Sequence, residues 1–133
     1  MADYSTYPVQ GNVPHCKVVA FKITLDGANA PTLAASPDNL FIASVARQSQ
    51  GIFRLTLTHA YKTHVATIPN HNVNATGQAR FAQGGPVANV GTSTPATVDI
   101  LIVDGSGNVQ DPAAANGNNF LSGVIIFADT AAV

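Results

Sequence analysis

The side chains of this chain best suited to chemistry are four histidines, a single cysteine and seven aspartates, and their spacing argues against most reactions. The histidines stand at 15, 59, 64 and 71. His59 and His64 are five apart, which puts them on opposite faces of any strand and off the i, i+4 pairing used by zinc helices. With no Glu and only Cys16 as a thiol, a closed zinc site would need three or four of these histidines to converge. Cys16 follows His15 directly, but neighbours in an extended chain point to opposite faces, so the pair does not make a nucleophile and its base. Cys16 instead reads as a small apolar residue opening a strand. Acid–base work on sugars would have to draw on scattered Asp, with no Trp to serve as a platform.

Two loops imitate known sites and fail on their details. Asp104-x-Ser106-x-Asn108 matches the start of a calcium loop, but Val109 holds the place of the required glycine and Ala115 that of the bidentate acid. The same segment imitates a dinucleotide fingerprint through Gly105-x-Gly107, yet Gln110 stands where the third glycine belongs and no long helix follows. A glycine-rich β-turn accounts for residues 104–108. Gly84-Gly85-Pro86 lacks the Lys and Ser/Thr of a phosphate loop. No catalytic residue, no cofactor and no metal site is expected.

The scaffold behind these residues reads as all-β. Val19, Phe21, Ile23 and Leu25 alternate with Ala20, Lys22 and Thr24 in a half-buried strand over 17–25. A second strand is expected over 40–48, and Gln50-Gly51 turns it into a third over 52–59, with Phe53, Leu55 and Leu57 on one side. His59 continues that phase and is expected at a core edge. Shorter strands are expected over 64–69 and 79–82, a Gly/Pro/Ser/Thr-rich loop over 84–95, and clear strands over 97–104 and 120–128. The prolines at 31, 37, 69, 86, 95 and 112 are expected between strands or at their ends. This pattern predicts one domain, an antiparallel β-sandwich over 16–133.

Residues 1–15 carry no hydrophobic period. They read as a frayed terminus or as an extended arm lying on a neighbouring subunit. Pro8 and Pro14 favour an extended backbone, and Tyr4 and Tyr7 supply rigid apolar contact area. These four are the candidate arm contacts.

Composition narrows the function classes. Over 133 residues, six Lys+Arg stand against seven Asp+Glu, and charged residues are 10% of the chain, where about 25% is usual. Near-neutrality argues against nucleic acid as a partner. The N-terminus has no basic region followed by an apolar one, and no apolar run approaches the roughly 18 residues of a membrane span, so no signal peptide and no membrane partner are expected. A lone cysteine forms no internal disulfide, and Asn74-Ala75-Thr76 without a secretory signal is a chance sequon. The chain reads as made in a reducing cytoplasm. A surface of Ala, Thr and Asn leaves few charges to desolvate on contact, which suits a component of an assembly.

The stretch from Ala46-Arg47-Gln48-Ser49-Gln50-Gly51-Ile52 to Ala60-Tyr61 resembles small tailed-phage virion proteins, in which such a hairpin ends in an Ala-Tyr pair. The order Val98–Val103, Asp104-Gly105-Ser106-Gly107-Asn108, Asp111-Pro112-Ala113 and a closing apolar strand is similar to the same group. The resemblance spans about residues 40–128. It implies a β-sandwich, often jelly-roll-like and trimeric, that decorates or cements a capsid or forms part of the tail, and it brings no catalytic residues. The turn at 48–51 has one glycine where two are common, and residues 1–15 have no counterpart. The expectation is therefore a homotrimeric capsid decoration (cement) protein on the virion surface, made in the host cytoplasm and bound to the major capsid protein. The alternatives are a tail or fibre component that recognises a host surface through loops 26–38 and 83–96, and a small hydrolase or lectin-like domain.

Overall fold

Alternating apolar residues build eight strands in the computed structural model, which describes residues 16–33, 39–72, 80–112 and 119–128. They are β1 (Cys16–Thr24), β2 (Thr32–Leu33), β3 (Ile42–Ser49), β4 (Ile52–Leu57), β5 (Thr63–Asn72), β6 (Phe81–Ala88), β7 (Thr97–Val103) and β8 (Phe120–Ala128). One sheet has the order β2-β1-β8-β5, the other β3-β4-β7-β6, and every pairing is antiparallel. The fold is the expected β-sandwich, with no helix among the described residues. Tyr4, Tyr7, Pro8 and Pro14 lie outside the described residues.

The two sheets face each other through the period-2 residues. Val19, Phe21 and Ile23 of β1 and Leu121, Ile125 and Phe127 of β8 pack against Phe53, Leu55 and Leu57 of β4 and Val98, Ile100 and Ile102 of β7. Each of these is 2% exposed or less, which stabilises the fold by roughly 1.5–3 kcal/mol per large side chain. The four strands they come from are the central pair of each sheet.

The structure departs from the periodicity at the edges. β5 runs to Asn72, three residues past the expected end at Pro69, and β6 occupies Phe81–Ala88, where a loop was expected from 84 onward. The short β2 lies in the stretch read as a loop. Pro69 and Pro86 are thus inside strands, contrary to expectation. Both strands are sheet edges, and an edge has one side free of ladder bonds where a proline nitrogen does no harm. Pro86 also falls in the register shift between Gly84 and Val87.

Two glycines are fixed by close approach. Gly123 of β8 has φ 153° and pairs with Pro69; a Cβ there would run into the Ile68 carbonyl oxygen. Gly51, in the β3–β4 turn, has φ 68°, and a Cβ would lie 2.6 Å from the Gln110 oxygen. Its N–H donates to Asp111 Oδ1 at 2.8 Å, and Arg47 grips the same carboxylate through two bonds of 2.9 and 2.7 Å. The 104–112 connection is thereby tied to the hairpin.

Candidate functional site

The chemistry-bearing side chains do not converge. His59 is exposed, not at the core edge that its phase predicted, because the strand ends at Leu57. Its Nδ1 is 2.7 Å from Thr58 Oγ1, and its ring meets Phe41 and Tyr61 edge-on. His64 sits half-buried against Phe127, with Nε2 2.8 Å from Thr67 Oγ1, and burial lowers its pKa. His71 is half-buried on β5, where burial likewise pushes its pKa down. Among the described residues no three His, Cys, Asp or Glu side chains could hold a metal ion. Asp104 accepts from the N–H groups of Ser106 and Asn108 at 2.8 and 3.0 Å, the turn expected from its sequence, and those bonds hold its pKa low.

The outer faces of the sandwich are more informative. Directly opposed residues on paired strands share a face. On the β1-β8-β5 sheet the outward rows are Ala20–Val124–Ile68 and Val18–Ile126–Ala66, followed by Cys16–Ala128–Thr63. Ile68 is 56% exposed, and Val65, extruded at the register shift between His64 and Ala66, is 48% exposed. This half of the face carries no charge. Toward the other end the rows turn polar, Lys22–Ser122–Asn70 and then Thr24–Phe120–Asn72, with Lys22 Nζ 4.6 Å from the Phe120 ring centre.

An antiparallel sheet facing water ordinarily alternates apolar-in with polar-out. The apolar half-face breaks that rule over three adjacent strands. At a rise of about 3.4 Å per residue and a strand spacing of about 4.8 Å, five residues of three strands cover roughly 240 Å². That is well below the roughly 800 Å² that one partner gives to a stable pairwise complex.

At the end of the sandwich where β1 begins, the apolar half-face meets a recess of about 150 Å³. Lys17, Val18 and Val19 form one wall, and Phe41, His59, Ala60 and Tyr61 the other. Tyr61 is anchored by stacking on Phe127 at 4.1 Å between ring centres. Neither feature was among the expected site residues. The signal for the first lay in runs such as Val124-Ile125-Ile126-Phe127, apolar at every position, and the second needs the strand order. Comparisons with protein-family models, curated proteins and solved structures found no match to this chain.

Proposed function

We propose that the chain is a non-enzymatic virion structural protein, a capsid decoration (cement) protein that docks onto the major capsid protein lattice of a tailed phage. The observation that carries this reading is the uncharged apolar half-face of the β1-β8-β5 sheet. A surface of that kind makes contact without stripping water from charges, and its small area makes each contact weak. Weak contacts suffice where a lattice repeats them, because linked copies bind with the avidity of the set. The phage assignment itself rests on the resemblance of the 46–61 hairpin and the 98–128 segment to tailed-phage virion proteins. The protein sits on the virion surface after synthesis in the host cytoplasm.

The test is copy number by quantitative mass spectrometry on gradient-purified particles, with wild-type chain and Ile68→Asp compared. Hundreds of copies, lost with the aspartate, are expected. A dozen or fewer would move the protein to the tail or fibre, and absence from particles would overturn the virion reading.

A further inference from the structure

Among the described strands, β5 alone has no residue in the buried core or packed against it. Opposite Phe127, Ile125, Gly123 and Leu121 of β8, its inward row is His64, Thr67, Pro69 and His71, all half-buried. This row meets β6 at close range, since a Cβ on Gly84 would stand 3.2 Å from Thr67 Cβ. The seam between β5 and β6 therefore holds two imidazoles where the central strands hold aliphatic and aromatic side chains. His64 meets the Phe127 ring edge-on at 5.8 Å between centres, with its Nε2 2.8 Å from Thr67 Oγ1. Both ring nitrogens of His71 are buried, as is Nε of Arg80.

A neutral imidazole packs as an aromatic ring does, whereas its cation has to be hydrated or paired. Burial holds both rings toward the neutral form, more strongly than backbone groups at Ala66 and Arg80 favour the cation, and the Arg80 charge adds to burial at His71. The strands packed against β5 offer no carboxylate, because β8 and β6 carry no ionisable side chain, and the residues just before β5 and β6 are Lys62 and Arg80, both cations. Residues 73–79, between β5 and β6, contain no ionisable side chain either. Asp104 lies within electrostatic reach of Arg80. Asp129 follows Ala128, at the opposite end of β8 from the Leu121 that pairs with His71. We propose that this seam is an acid-operated latch, in which protonation of His71 and His64 releases β5 from β6 and β8 while β1, β4, β7 and β8 stay folded. Regions that bury few apolar contacts open first, and β5 is the strand that takes least from the core when it leaves. It also carries Val65, Ala66 and Ile68 of the apolar half-face, so its release dismantles that face. The proposal does not depend on the capsid reading, since it concerns a single chain.

The experiment is native-state amide hydrogen exchange on the full chain between about pH 7.5 and about pH 5, with a parallel series in low urea. Opening constants of the β5 amides, corrected for intrinsic exchange, are expected to exceed those of β4 and β7 by at least about tenfold and to respond little to urea, the mark of a local opening. They are expected to rise as pH falls below about 6.5, by up to about tenfold per pH unit for each imidazole, because the released strand binds protons more readily than the seated one. His71→Gln and His64→Gln are each expected to reduce that rise, and together to abolish it. In the wild-type chain, where no substitution can disturb folding, the His71 ring resonances are expected to titrate below about 6.5. Equal opening constants and equal urea dependence in β5 and β4 overturn the proposal, since β5 would then open only with the whole molecule. A pH dependence that survives the double substitution, or a His71 ring that titrates at its ordinary value or above, overturns it equally.

Discussion

The two outer faces of this sandwich each belong to four antiparallel strands, yet they meet solvent in opposite ways. On the β3-β4-β7-β6 sheet the central outward row is Ala46–Arg54–Asp99. Arg54 grips Asp99 through bonds of 2.7 and 2.9 Å, and the Asp99 side chain is only 8% exposed. The corresponding rows of the other sheet hold only Val, Ile and Ala. A charged rung at the centre of a face resists being covered, because any partner must desolvate or pair it. The uncharged face has no such penalty. The difference teaches that two sheets sharing one core can present surfaces with very different costs of being covered.

The largest effect is expected from a single methyl in the sheet with the apolar half-face. Gly123→Ala forces a Cβ against Ile68 and Pro69 and is expected to lower unfolding free energy by roughly 3 kcal/mol in urea denaturation. Gly85→Ala, whose Cβ would stand 3.1 Å from the Asp99 oxygen, is the counterpart on the charged sheet and is expected to cost about 1 kcal/mol. If the two losses were equal, the closer β8–β5 approach would not be the constraint it looks like.

Next comes an asymmetry within the charged rung. Arg54→Ala leaves a buried carboxylate unpaired, whereas Asp99→Ala leaves an arginine that is 43% exposed and free to hydrate. Both variants are expected to melt below wild type, and Arg54→Ala lower of the two by calorimetry. The reverse order would mean that the Asp99 carboxylate is stabilised without Arg54.

Acid should then separate the two sheets. The pKa values of His64 and His71, both on β5, are lowered by burial, so the unfolded chain binds their protons more readily than the folded one. Stability is therefore expected to fall as pH drops below about 6.5, the ordinary imidazole value. The Asp111 carboxylate, held low mainly by its hydrogen bond from Arg47, contributes stability that is fully present above the ordinary carboxylate pKa and lost only below about pH 4. Melting temperature against pH is expected to decline in two stages, and His64→Gln with His71→Gln to remove the upper one.

The smallest effect sharpens the contrast most. Ile68→Asp on the apolar face and Ser44→Asp on the charged one are both exposed changes, each expected to alter stability by no more than about 0.5 kcal/mol. Only Ile68→Asp is expected to reduce occupancy on purified particles.

The sandwich was legible wherever alternation was clean. Residues 17–25, 52–57 and 97–103 have one face buried and one mixed, and the strands stand within two residues of their expected bounds. The edges were not legible, because Gly84-Gly85-Pro86 and Pro69 carry the composition of a loop while lying in strands whose outer side needs no bonds. The apolar half-face was hidden for a different reason. An all-apolar run such as 124–127 also describes a strand buried on both sides, and only the sheet order shows that one side of it is bare. The bond from Lys22 N–H to Asn39, seventeen residues away, is likewise something no local pattern encodes.

The prolines at 69 and 86 have a consequence for crowding. Each lies on one of the two strands that would otherwise let a sheet grow sideways from the β5 and β6 side of the molecule. In the language of polymer chemistry they are chain stoppers, ends that cannot be extended. At high local concentration, ends of that kind keep neighbouring copies from zipping edge to edge through β5 and β6 into a fibre.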